Sequence, residues 1–386
     1  MDIDRIREQI PVCRKMVYVN SGWSGPSPVS VVEAIKARLD YEMEQGPTTP
    51  DVRESGREIQ DQTRLAVANL LNAAAEEVCL TKNTTDGINL VINGLTWSQG
   101  DEIITCSLEH SSVLVPSYFQ QWRHGAVVKV VSLASDEGHD AILAKIESAI
   151  TDRTRLVFLS HIQYSTGLRM PVEEIRRMTK DRGIMMLLDG AQTAGHIALD
   201  MKAIDCDFYA IPGQKWLLGS EGVGALYIRQ DMIPQVQPVH VGGRAVMPHD
   251  GPEDMEPEIA SIDKLKGSST STALQAGLLE AISFVQAAGM DEIEARDLDL
   301  ASQLKQSLGE TPGVKVLSPI ERSGSSGLVS FAIDGMEPED AVNRLWERDR
   351  IVARQVGFPH GIRVSLHFFN TEEEVGQVVE AVRRLA

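Results

Sequence analysis

The stretch IMMLLDGAQTAGH carries an apolar run that ends on an acid, Asp189. Downstream, a single lysine, Lys215, is preceded by Ile211, Pro212 and Gly213 and followed by Trp216, Leu217 and Leu218. Apolar neighbours of this kind predict partial burial, which lowers an ammonium's pKa and makes the amine a usable nucleophile. An acid closing a buried strand should lie at the strand's carboxyl end, where open α/β sheets bind ligands. A carboxylate buried there is costly without a cationic partner. A lysine that forms a Schiff base and an acid that pairs with a protonated pyridine nitrogen are the two protein groups pyridoxal phosphate needs most. Taken singly, Asp189 reads equally as a helix cap and Lys215 as a solvated charge.

Other residues could complete such a site. Thr84 and Thr85, in TKNTTD, precede the apolar run Gly87–Leu95. Hydroxyls and free N–H groups at a helix start make a phosphate site, or simply an N-cap. His110, in EHSS, follows a strand-like run and has an imidazole that can stack on a flat ring or serve the structure alone. Arg354 and Arg363 flank the short loop in RQVGFPHGIR, and guanidinium forks hold carboxylates bidentately. Tyr18–Ser27 and Tyr164 are expected to shape a substrate pocket. The nine histidines show no HExxH or Cys/His metal spacing. A phosphate-binding GxxxxGK[ST] loop is absent, and Gly222 and Gly224 supply only a fragment of a dinucleotide fingerprint.

The chain has 386 residues, which suits two domains rather than one core. A net charge of −18 argues against a nucleic-acid partner, because phosphate backbones need basic patches. The four cysteines, Cys13, Cys79, Cys106 and Cys206, form no CxxC pair and read as reduced thiols. The N-terminus lacks an apolar signal core, and no apolar run approaches the ~20 residues of a membrane helix. A cytoplasmic enzyme is expected.

These residues need elements to position them. Strands are expected at Glu102–Cys106, Val127–Val131, Leu156–Ser160, Met185–Asp189, Phe208–Ile211 and Gly224–Ile228. Their unbroken Val/Ile/Leu content suits a sheet covered on both faces. Helical segments between them, such as Val172–Asp181, point to a largely parallel α/β sheet. An acidic, proline-rich stretch, His249–Glu258, reads as a connection. Helices are then expected at Thr272–Ala288, Asp291–Leu308, Glu339–Arg348 and Thr371–Leu385, with strands at Gly327–Ile333 and Ile362–His367. Thr371 and Glu374 have capping-box spacing. The reading is a large domain over 17–250 and a smaller α+β domain from 1–16 and 251–386.

The order of motifs is more telling than any one of them. TKNTTDGIN, EHSS, DGAQTAGH, GQKWLLGSEGVGALY, KGSSTST and GIRVSLHFFNTEEEV together resemble the fold-type I pyridoxal-phosphate enzymes of the class V aminotransferase and cysteine desulfurase group. The resemblance runs from Tyr18 to Leu385. It implies a mainly parallel seven-stranded sheet flanked by helices, a smaller C-terminal α+β domain, bound pyridoxal phosphate and a homodimer. It also implies roles: Lys215 forms the Schiff base and moves protons at Cα, and Asp189 pairs with the pyridine nitrogen. Gln192 bonds the ring hydroxyl, and His110 stacks on the ring. Thr84, Thr85 and Gln214 hold the phosphate, Gln214 standing where desulfurases usually have histidine. Ser268 matches a segment that reaches the phosphate from the neighbouring subunit, and Arg363 binds the substrate carboxylate. His161 stands where asparagine is common and is kept as a site residue.

Desulfurases of the group carry a nucleophilic cysteine on a loop shortly before the arginine matching Arg363. The span Arg354–Arg363 has none. Its short loop, together with GPTTPD, the SH…TG segment at Ser160–Gly167 and VGGR at Val241–Arg244, looks instead like the cystine C–S lyases. The expectation is β-elimination from cystine or a cysteine conjugate. Transamination and an isopenicillin N-type epimerisation are the alternatives.

Overall fold

The computed structural model describes residues 1–386. Thirteen strands fall in three sheets. In chain order they are β1 (Val17–Tyr18), β2 (Val78–Thr81), β3 (Glu102–Cys106), β4 (Val127–Val131), β5 (Thr154–Ser160), β6 (Met185–Asp189), β7 (Phe208–Pro212) and β8 (Gly224–Ile228). The C-terminal part adds β9 (Val314–Val316), β10 (Leu328–Ile333), β11 (Ile351–Val352), β12 (Arg354–Val356) and β13 (Gly361–Ser365).

The large sheet has seven strands in the order β2-β8-β7-β6-β5-β3-β4. Pairing is parallel from β4 to β7, and β8 joins β7 and β2 antiparallel. Side chains alternate between faces along a strand. Val157, Leu159, Met186, Leu188 and Tyr209 enter one core, whereas Leu156, Phe158, Met185, Leu187 and Phe208 enter the other. Burial on both faces explains why these strands read as continuous apolar runs. The expected α/β fold, with its mainly parallel sheet and C-terminal sheet domain, is the one found.

Several elements were not legible, β2 and the helix Val29–Gln45 among them. Strand β2 has only four residues, pairs at the sheet edge and so gives no periodic signal. The long helix Val29–Gln45 buries only Val31 and Arg38, leaving its apolar stripe weak. Together with Pro50–Leu71 it packs against the helix Thr272–Ala288. Leu278 and Ile282 of that helix join the large-sheet core, while Val285 packs with Ile10, Phe368 and Phe369. Packing therefore continues across residue 250, and the acidic stretch His249–Glu258 is a largely exposed connection.

The smaller sheet is antiparallel, in the order β12-β13-β10-β9, and its core takes in Val17 and Val19 from the N-terminal segment. The last helix, Glu372–Arg383, opens with the expected capping box: Thr371 Oγ1 accepts from the Glu374 N–H at 3.2 Å, and Glu374 Oε2 accepts from the Thr371 N–H at 3.2 Å. No single helix is long and apolar enough to cross a membrane.

One buried ion pair ties a crossover helix to the sheet. Arg176 donates to Asp207 through both terminal nitrogens, at 3.0 and 3.1 Å, and Asp207 also accepts the Met186 N–H at 2.7 Å. Removing one partner leaves a buried charge short of its counterion. Arg176→Ala is expected to destabilise the protein by about 3 kcal/mol, read as a lower urea midpoint. An unchanged midpoint would show that Arg229, 2.8 Å from Asp207, suffices alone.

Candidate active site

The carboxyl ends of the parallel strands converge on one cavity of about 400 Å³. Register explains what reaches it. Ser160 of β5 pairs with Asp189 of β6, and Asp189 pairs with Ala210 of β7. Neighbours in register share a face, so Ser160 and Asp189 both open into the cavity. His161, one residue further, turns to the opposite face. Its Nδ1 lies 2.8 Å from the Tyr209 hydroxyl, and burial holds its pKa down to about 3. It does not line the cavity, which corrects its choice as a site residue; Tyr164 lines the wall instead.

Thr84, Thr85, His110, Asp189, Gln192, Gln214, Lys215, Arg354 and Arg363 all line this space. Ser268 is exposed and lies outside the cavity of its own chain.

The helix Thr84–Ile92 starts at the cavity wall, capped by Asn83, whose Oδ1 accepts the Asp86 N–H at 2.9 Å. Thr84 Oγ1 is buried without a hydrogen-bond partner, as is Gln214 Oε1. An orphaned hydroxyl beside free N–H groups at a helix start is the donor set a phosphate satisfies. His110 caps the next helix, Ser111–His124, with Nδ1 accepting the Ser112 N–H at 3.1 Å. Tyr164 packs edge-on against its ring at 4.9 Å. Burial, then the charges of Lys215, Arg354 and Arg363, lower the His110 pKa to about 4, so the ring is neutral at pH 7.

Asp189 is buried, and its Oδ1 accepts the Ala191 N–H at 2.8 Å. Burial raises its pKa, opposed by the charge of Lys215. Burial lowers Lys215 to about 8, with Asp189 opposing the shift and both arginines adding to it. The N-terminal segment crosses close over this lysine. The Gly25 N–H donates to the Gln214 carbonyl at 2.6 Å, and a Cβ at Gly25 would stand 2.2 Å from the Lys215 carbonyl oxygen. Gln192 accepts from Trp216 Nε1 at 2.8 Å and donates to the Gly22 carbonyl at 2.9 Å, leaving one N–H and one lone pair uncommitted.

The two arginines face each other across the β12–β13 ladder, Arg354 opposite Arg363. Like charges directly opposite are destabilising unless an anion lies between or beside them. Arg354 lies 4.3 Å over the Trp23 ring. Arg363 is fully buried; Nη1 donates to the Tyr164 carbonyl at 2.7 Å, while Nε and Nη2 have no partner. Burial, helped by Arg354, lowers its pKa to about 9.

Sequence reasoning passed over Ser160, Ser112 and Glu109. Glu109 is buried beside His110; it accepts the Ser160 N–H at 2.9 Å and a Gln163 Nε2–H at 2.7 Å, and burial raises its carboxyl to about 7. The alternation of β5 was the signal that could have selected Ser160 over His161.

The depressed pKa has a kinetic consequence. Only the free amine attacks an aldehyde, so covalent capture of pyridoxal phosphate by cofactor-stripped protein should accelerate as pH rises and level off above about 8. A midpoint near the ordinary lysine value of 10.5 would show Lys215 to be solvated.

Known proteins agree with this architecture. The family model for aminotransferase class V matches residues 17–378. A probable cysteine desulfurase of Methanothermobacter thermautotrophicus is 30% identical over 402 residues, spanning 100% of this chain and 98% of that protein. An isopenicillin N epimerase of Amycolatopsis lactamdurans is 28% identical, spanning 98% of each. The solved complex of the cystine C–S lyase C-DES with its product cysteine persulfide superposes with a TM-score of 0.91 at 29% identity, covering 97% of this chain and 99% of that one. The chain belongs to the class V aminotransferase family and is a pyridoxal-phosphate-dependent enzyme.

Proposed function

We propose that the protein is a β-eliminating C–S lyase acting on cystine or a related cysteine conjugate. The observation that carries the reading is the absence of a thiol at the cavity. Cys79, Cys106 and Cys206 are buried, burial pushing Cys79 up to about 12, and Cys13 lies in the N-terminal segment. None lines the cavity, and the Arg354–Arg363 hairpin has no cysteine. No side chain there can accept sulfur as a persulfide, so sulfur must leave with the product.

The lining fits pyridoxal phosphate: the unpartnered Thr84 hydroxyl, the amide of Gln214, whose Nε2 can donate, the spare valences of Gln192, the buried Asp189 carboxyl and Lys215. Bound there, the cofactor supplies an electron sink that makes the bonds at an amino acid's Cα labile. Thr84, Thr85 and Gln214 hold its phosphate. Asp189 would accept from the pyridine N–H, Gln192 would bond the ring hydroxyl, and the neutral His110 would pack against the ring. Arg363, whose Nε and Nη2 lack partners, takes the substrate's α-carboxylate, and Arg354 stands ready for a second one. Lys215 would hold the cofactor, and its amine, unprotonated above about pH 8, would take the Cα proton. The Cβ–S bond breaks, and the sulfur departs with its electron pair. The remaining enamine hydrolyses to pyruvate and ammonia; from cystine the other product is cysteine persulfide.

Exposed Ser268 reaches a partner's phosphate site in the homodimer this reading requires. Sedimentation that gives a monomer overturns that part.

Cystine should yield pyruvate without any added 2-oxo acid. Holoenzyme that forms no pyruvate from cystine or from a panel of cysteine conjugates overturns the lyase reading. The similarity to isopenicillin N epimerases supports a second reading, in which the Cα hydrogen exchanges with solvent and no keto acid forms. Lys215→Ala is expected to abolish turnover. Arg363→Leu should raise KM about tenfold to a hundredfold, the worth of hydrogen bonds to a charged group.

A further inference from the structure

From Gln192 in the cavity wall a polar chain runs back through Trp216 to His367 and Asp297, neither of which lines the cavity. The Lys215–Leu218 turn is closed by the Leu218 N–H donating to the Lys215 carbonyl at 3.1 Å. Leu218 sits at φ 61, the left-handed region that a leucine adopts only when its surroundings impose it. The next residue after the lysine, Trp216, is fully buried and held at three points. Its ring stacks on His196 at 3.7 Å, its indole N–H donates to Gln192 at 2.8 Å, and its carbonyl lies 2.9 Å from His367 Nε2.

The protons on this chain can be assigned from partners alone. A carbonyl only accepts, so His367 Nε2 carries a hydrogen and donates to Trp216. His367 Nδ1 lies 2.8 Å from Asp297 Oδ2, and both residues are completely buried. A hydrogen must lie between those two atoms, on the acid or on the ring. Asp297 Oδ1 has no hydrogen-bond partner. A buried carboxylate with one bare oxygen is costly, whereas a carboxylic acid donating through Oδ2 is not. Burial pushes the Asp297 carboxyl well above its usual range and lowers His367 to about 3, in the same direction. His196 cannot supply a counter-charge. Its Nε2 accepts the Gly327 N–H at 2.8 Å, and its Nδ1 faces the Gln192 carbonyl at 2.8 Å, which fixes it as a neutral ring.

We propose that Asp297 and His367 are positioning residues: a protonated carboxyl donates to His367, which donates in turn to the Trp216 carbonyl and so fixes the strained turn that presents Lys215. Asp297 comes from the helix Met290–Gly309 and His367 from just beyond β13. The device thereby couples the C-terminal part of the chain to a loop of the large sheet. It rests on the reading of Lys215 as the cofactor-bearing residue.

Near-isosteric variants test it. Asp297→Asn keeps an N–H donor toward His367 Nδ1 and should retain kcat within about threefold, whereas Asp297→Leu and His367→Phe should lower kcat about tenfold to a hundredfold, the usual penalty for misplacing a reacting group. KM should stay within about twofold and cofactor occupancy, read by absorbance, should be unchanged, because the substrate and phosphate contacts are intact. Equal losses in Asp297→Asn and Asp297→Leu, or a native kcat in Asp297→Leu or His367→Phe, overturn the proposal. If those two variants do not fold, 15N spectra of histidine-labelled native holoenzyme decide: a neutral ring protonated at Nε2 supports the relay, and an imidazolium at His367 overturns it. Borohydride reduction of the native holoenzyme is the separate control. A label absent from Lys215 sinks the reading of that lysine, whatever the variants do.

Discussion

A strand buried on both faces can carry charge only where it ends. This constraint organises the whole molecule. The interiors of β5, β6 and β7 are apolar because both faces are covered. Ser160 and Asp189 stand at the carboxyl ends of β5 and β6, and the parallel register brings them to one level. The helices that follow β2 and β3 begin at the same edge, so Thr84, Thr85 and His110 arrive there as caps and first-turn residues. Burial then acts on each group according to its charge. It raises Asp189 and lowers Lys215, His110 and Arg363, leaving a neutral ring and an activated amine beside an unsatisfied guanidinium.

Much of this was legible in the residues. Five-residue apolar runs gave β3, β4, β6 and β8 with their boundaries; β3, β6 and β8 are buried on both faces and show no alternation, while the edge strand β4 was legible from its Val content alone. Motif order gave the family and placed Thr84, Thr85, His110, Asp189, Gln192, Gln214, Lys215, Arg354 and Arg363, which all line the cavity. What was missed has physical reasons. The β2 strand is too short to show a period, and Val29–Gln45 leaves most of its surface to solvent. His161 was chosen by alignment of residue types, yet facing is set by the two-residue pleat, which sends Ser160 inward and His161 to Tyr209. Glu109, Asp297 and His367 were invisible because their partners lie far away in the chain, and single residues announce nothing about burial.

The two ends of the site are built differently. One end, with Thr84, Thr85 and Gln214, is made of hydroxyls, amides and a helix start around the large sheet. The other belongs to the smaller sheet, where the hairpin sets Arg354 opposite Arg363. The N-terminal segment bridges them: Gly22 and Trp23 line the cavity, Gly25 touches the Lys215 loop, and β1 pairs with β11.

The Arg354–Arg363 ladder has an evolutionary consequence. The arginines are fixed by strand register, with Gln355 opposite Ile362 and Val356 opposite Gly361, while only the turn at the tip, residues 357–360, lies outside that register. Lengthening such a turn is inexpensive, each doubling costing about 0.6 kcal/mol in closure entropy. A lineage can therefore vary the length and composition of the tip and leave the opposed guanidinium pair in place. The tip is interchangeable; the ladder that holds the two arginines is not.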